Sequence, residues 1–90
     1  MILFHYPNDV NAQFYIGYAL FNQGKYQPAI AYFNLAMNNG FDFFYEDAQW
    51  FKALAYLKLQ ERDKAKDLLQ KIETQGGKHA KPARKALREF

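Results

Sequence analysis

Residues 16–36 read IGYALFNQGKYQPAIAYFNLA, and residues 52–72 read KALAYLKLQERDKAKDLLQKI. In the first stretch the small residue Gly17 is followed by Leu20, Ala29, Phe33 and Ala36. In the second, Ala53, Tyr56, Ala65, Leu69 and Ile72 repeat the same steps 36 residues further on. The same offset lays Phe14 on Trp50, Tyr18 on Leu54, Ala19 on Ala55 and Tyr32 on Leu68. Self-similarity at a fixed period of this size is the mark of a stacked repeat, in which one supersecondary unit is used twice. Each step has a physical reason. A small residue inside the first helix of a pair lets the second helix come close, Ala29 or Ala65 does the same from the other side, and the larger groups fill the crevice.

Working outward, the three-and-four spacing of Phe14, Gly17, Tyr18 and Phe21 predicts an amphipathic helix over 11–23, broken at Gly24. A second helix is expected from Gln27 to about Asn38, with Pro28 in its first turn and Asn39-Gly40 at its end. A third is expected from Tyr45 to Leu59, where Glu46 and Asp47 face the positive end of the helix dipole. A fourth spans about 63–74 and stops at Gly76-Gly77. A short fifth starts at Pro82 and reaches Phe90. Little reads as strand, so the expected fold class is all-α, with helix hairpins joined by short turns.

The two quoted segments resemble the tetratricopeptide repeat family, whose pattern runs W-x2-L-G-x2-Y, A-x3-F and P over about 34 residues. Gln13 and Gln49 stand in the tryptophan slot, Phe41 and Gly77 replace the closing proline, and two extra residues separate the units. The resemblance implies a short right-handed solenoid of two repeats, 10–43 and 44–79, closed by a C-terminal capping helix over 80–90. Pro7 lies ten residues before Gly17, where the family places the proline that closes a preceding repeat. Residues 1–9 therefore read either as the tail of a truncated earlier repeat or as a native N-terminal cap folded onto the first helix. Ile2, Leu3, Phe4 and Tyr6 are then expected to pack on the first pair or on a second copy. That apolar edge makes a homodimer one candidate assembly.

In such proteins the first helices of successive pairs line a concave surface that commonly binds peptides. Carried over by spacing, the lining here is Asn11, Phe14, Tyr15, Tyr18 and Asn22 from the first pair, and Asp47, Trp50, Phe51, Leu54 and Lys58 from the second. Lys81, Arg84, Lys85 and Arg88 on the last helix complete it if that helix keeps a 34-residue register. The groove is thus expected to be aromatic at one end and cationic at the other. Aromatic side chains occupy most of the places where family members hold a peptide carboxylate with Lys and Asn, so no carboxylate clamp is expected. The competing reading of the aromatic stripe is ordinary packing between helices.

Composition supports the division. Residues 1–45 hold only Asp9, Lys25 and Asp42 as formal charges yet carry thirteen of the seventeen aromatics, whereas 46–90 hold eleven Lys or Arg against seven acids. Ala83, Ala86, Leu87 and Phe90 form one apolar stripe suited to covering the second repeat, leaving the basic residues on a solvated outer face.

With no cysteine the chain has no disulfide framework, and its compartment stays open. No apolar run approaches the roughly 20 residues of a membrane span. Catalytic readings fail on inventory. His5 and His79 stand alone without metal-ligand spacing, Glu46 and Asp47 are adjacent and so point apart on a helix, and Gly76-Gly77 lacks a phosphate-loop sequel. The function expected is a non-catalytic interaction module, without cofactor or metal, that binds a peptide or protein segment in the aromatic groove. The alternative is a structural or self-associating segment of a larger repeat protein, a pressure that exists because about three repeats are usually needed for stability. Nucleic acid is disfavoured as a partner, since only the last helix is strongly basic.

Overall fold

The computed structural model describes residues 10–38 and 44–90, with the side chains of Val10 and Asn11 excepted. Five helices account for most of them: α1 (Val10–Asn22), α2 (Tyr26–Asn38), α3 (Tyr45–Lys58), α4 (Arg62–Gln75) and α5 (Ala80–Leu87). No strand occurs among the described residues. Each helix packs on the next in the chain, and α1 also touches α3. That nearest-neighbour pattern belongs to a stacked helical repeat, and the molecule is accordingly long and thin, 42 × 25 × 16 Å. The Asn39-Gly40 cap, Phe41 and the expectations for Ile2, Leu3, Phe4, Tyr6 and Pro7 lie outside the described residues.

The two hairpins end their first helices in the same way. After α1, Gly24 takes φ +80°, its N–H donates to Phe21 O at 3.0 Å, and Lys25 N–H donates to Leu20 O at 2.9 Å. This pair of bonds satisfies carbonyls that the last turn leaves open, and it needs a left-handed residue at the bend. Thirty-six residues on, Gln60 N–H donates to Leu57 O at 3.0 Å and Glu61 N–H to Tyr56 O at 2.9 Å. The bend is the same, but Gln60 holds it at φ +62° with a Cβ in place. A left-handed residue with a side chain costs about 1–2 kcal/mol, and glycine returns part of that as unfolded-chain entropy. Gln60→Gly is therefore expected to stabilise the chain by about 0.5–1 kcal/mol, read as a rise in the urea midpoint at unchanged m-value. An unchanged or lowered midpoint would show that the strain is absent.

Two apolar clusters form the core. Phe14, Ala29, Phe33, Ala36 and Ala48 make the first, joined by Leu20, Phe21, Met37, Phe44 and Phe51. Ala53, Leu68, Leu69, Ile72 and Ala83 make the second, joined by Trp50, Tyr56, Leu57, Ala86 and Leu87. The fully buried alanines sit where helices cross, and the absence of bulk there sets the close spacing. Each hairpin is closed by the helix that follows: α3 supplies Ala48 and Phe51 to the first cluster, and α5 supplies Ala83, Ala86 and Leu87 to the second.

The last helix differs from its expected span. It starts at Ala80, two residues before Pro82, because a first-turn residue needs no N–H of its own. It ends at Leu87, so Phe90 falls past the apolar stripe, and its ring instead lies 4.6 Å from the Arg62 guanidinium.

Candidate functional site

The hydroxyphenyl rings of α1 and the apolar face of α3 meet because both helices lean on the first cluster. Phe14 is the hub. Its ring stacks on Phe44 (4.6 Å, 9°) and Tyr18 (6.2 Å, 16°), meets Tyr15 edge-on at 5.6 Å and lies 5.9 Å from Phe33. Only 6% of it is exposed. The expectation that Phe14 lines a groove is thus corrected: it belongs to the core, because the face of α1 that carries it is the face that α2 and Phe44 cover. Phe51 is also mostly structural. It reaches back from the second hairpin to Tyr18, Phe21 and Phe33, with centroids 5.2, 5.6 and 6.2 Å away, and so ties the repeats together.

The rings that reach solvent are the tyrosines. Tyr15 is 57% exposed and Tyr18 39%, yet each is held in place by an edge-on neighbour, Phe44 for Tyr15 (5.4 Å) and Phe51 for Tyr18 (5.2 Å). Asn22 and Lys58 are exposed at the ends of α1 and α3, and Leu54, one turn before Lys58 on α3, is half-buried. The Asn11 side chain lies outside the described residues.

Trp50 is half-buried, and its outer face is taken by a residue that sequence reading set aside as incidental. The His79 ring stacks on the indole at 5.2 Å with planes 4° apart. His79 Nε2 lies 2.8 Å from Asp47 Oδ1, and Asp47 Oδ2 accepts from Lys78 Nζ at 3.0 Å. Glu46 Oε1 accepts the Lys78 backbone N–H at 3.4 Å and lies over Gly77, so that a Cβ added there would have to displace the Glu46 carboxylate. The first turn of α3 thus grips the α4–α5 turn, and Glu46 and Asp47 do more than answer a helix dipole. No local pattern announces this, since Asp47, Trp50 and His79 are brought together only by the return of α4.

Lys81, Arg84 and Lys85 on α5, and Arg88 just after it, are all exposed. Arg84 is drawn to α4, its Nε donating to Glu73 Oε2 at 2.9 Å. Among the described residues, no group of His, Cys, Asp or Glu could hold a metal ion, and no helix is long and apolar enough to cross a membrane.

Comparison with known families agrees with this geometry. A tetratricopeptide repeat model matches residues 11–39 and again 47–75, and the two segments begin at the offset that superposes Gly17 on Ala53. Comparison with curated proteins and with solved structures returns no match.

Proposed function

The chain belongs to the tetratricopeptide repeat family, a family of protein-interaction modules, and on that premise we propose that it binds a peptide or protein segment across α1 and α3. The repeats are taken as 10–43 and 44–79, with 80–90 as the cap. One observation carries the reading: Tyr15 and Tyr18 stay exposed while the rings around them are buried or half-buried, and both are pre-positioned by edge-on neighbours. An exposed ring already fixed in its rotamer loses little entropy on binding, and tyrosine pairs a large apolar area with a hydroxyl that can find a partner. Such residues are enriched at binding hot spots. Asn22, Leu54 and Lys58 extend the surface, Trp50 borders it beside His79, and the cations of α5 lie beyond it.

A peptide selected on the wild-type chain from a random library provides the test. Tyr15→Ala and Tyr18→Ala remove exposed rings without opening the core, so each is expected to fold and to weaken that peptide about tenfold, or about 1.4 kcal/mol. Trp50 emission should shift as the peptide binds. Undiminished affinity in both variants would remove the groove from this face. Light scattering on the 90-residue, 10.6 kDa chain separates the self-associating alternative, which requires a dimer mass.

A further inference from the structure

The groove leaves the other side of α3 unused. Tyr45, Gln49, Lys52 and Tyr56 recur at steps of four, three and four, which keeps them on one helical face. That face meets the end of α2 and the length of α4 around an open cavity of about 770 Å³, lined by Met37, Gln49, Lys52, Leu68 and Lys71 among others. Such a volume is within the usual range of ligand pockets. A shallower hollow of about 190 Å³ continues it past Lys52 and Lys71 to Lys64 and Tyr56.

Two features of this trough suit a ligand. The first is Gln49, which stands in the slot where the repeat pattern has tryptophan. It is only 3% exposed, and it lines the cavity, where its amide can meet a ligand. A side-chain amide both donates and accepts, which suits a peptide group better than a bare anion. The second is charge. Lys52 and Lys71 line the same cavity, and among the described residues neither has an ion-pair partner. Lys64, whose Nζ stands 5.7 Å from the Tyr56 ring while that of Lys52 stands at 5.9 Å, is already bridged to Glu61 at 2.9 Å. Asp67 is the one acid in the lining. Burial and the neighbouring Lys71 charge push the Lys52 ammonium below its ordinary pKa, a cost that an anion placed between the two would remove.

We propose that this trough is a second ligand site, which takes an acidic peptide segment with a carboxylate between Lys52 and Lys71 and a peptide amide on Gln49. Gln49 and Lys52 are three residues apart, a rise of about 4.5 Å along the helix, so the backbone and the carboxylate of one glutamate span both. A free inorganic anion answers the lysines but leaves the Gln49 amide as it was. Met37 and Leu68 offer the peptide an apolar wall.

The experiment is an NMR titration of the full chain with a blocked tetraglutamate peptide, and separately with inorganic phosphate at matched ionic strength. Saturable shifts of the Gln49 side-chain amide and of Lys52 with the peptide are expected, weakened at least tenfold by Lys52→Met and restored by Lys52→Arg. Lys52→Met keeps the stem and loses only a partly buried charge, so it folds, and Tyr18→Ala should leave this binding unchanged because it alters the opposite groove. Phosphate that moves Gln49 as strongly as the peptide would overturn the assignment to a peptide. Absence of saturable shifts at Gln49, or binding indifferent to Lys52→Met, would overturn the site.

Discussion

Phe33→Ala is expected to lower the unfolding free energy by about 3–5 kcal/mol, the range for deleting a buried ring. A chain of 90 residues has on the order of 5–13 kcal/mol in total, so the variant should have a greatly reduced urea midpoint and lie near unfolding at physiological temperature. Phe33 is fully enclosed, lies against Phe14 and Phe51 and covers Gly17. It therefore touches two helices besides its own turn of α2, namely α1 and α3, and neither can fill the void without leaving another neighbour. Because Phe51 comes from the second hairpin, amide exchange should speed up in α3 as well as in α1 and α2. A loss below about 1.5 kcal/mol, or faster exchange confined to α2, would mean that Phe33 is not the joint between the repeats.

The repeat itself was legible because its signal is long-range and redundant. Gly17 and Ala53, Ala29 and Ala65, and Phe33 and Leu69 must each be small or large for the hairpin to close, so the offset survives changes of residue type. The faces of α1 were not legible in the same way. Phe14, Tyr15, Tyr18 and Phe21 cover so much of the helix circumference that spacing alone cannot tell the buried ring from the presented ones. That choice is made by Phe44, Phe33 and Phe51 from other helices. His79 was missed for a related reason: it sits in a turn, and its partners Asp47 and Trp50 become neighbours only when α4 has run its length. Phe90 was misplaced because the stripe continues in sequence past the point where the helix stops. The charge pattern gave the cationic end of the chain correctly, but it did not show that Arg84 is tied to Glu73, nor that Lys52 and Lys71 share a cavity.

The second large effect concerns a core position at which the two repeats differ. A Cβ added at Gly17 would lie 2.8 Å from both Cδ1 and Cε1 of Phe33 and 3.3 Å from the Ala29 carbonyl oxygen. Neither can retreat, since Phe33 and Ala29 have no exposed surface. Overpacking of this kind costs about 1–3 kcal/mol, here near the upper end. The gain of about 1 kcal/mol from replacing a mid-helix glycine by alanine offsets part of it. Gly17→Ala is therefore expected to destabilise by about 2 kcal/mol, a reversal of the usual sign for that exchange on a helix. The second hairpin shows the remedy. There Ala53 occupies the equivalent position, and Leu69, not a phenyl ring, faces it in the same buried cluster. Phe33→Leu alone should cost on the order of 1–2 kcal/mol for lost ring contacts. Combined with Gly17→Ala, it gives the first hairpin the pairing already used by the second, and the double variant should be no less stable than Phe33→Leu alone. The coupling between the two sites is then at least about 2 kcal/mol, well beyond the few tenths seen for independent positions. Strictly additive losses would show that the clash relaxes through the backbone instead, and that the small residue at this position is not what sets the distance between the paired helices.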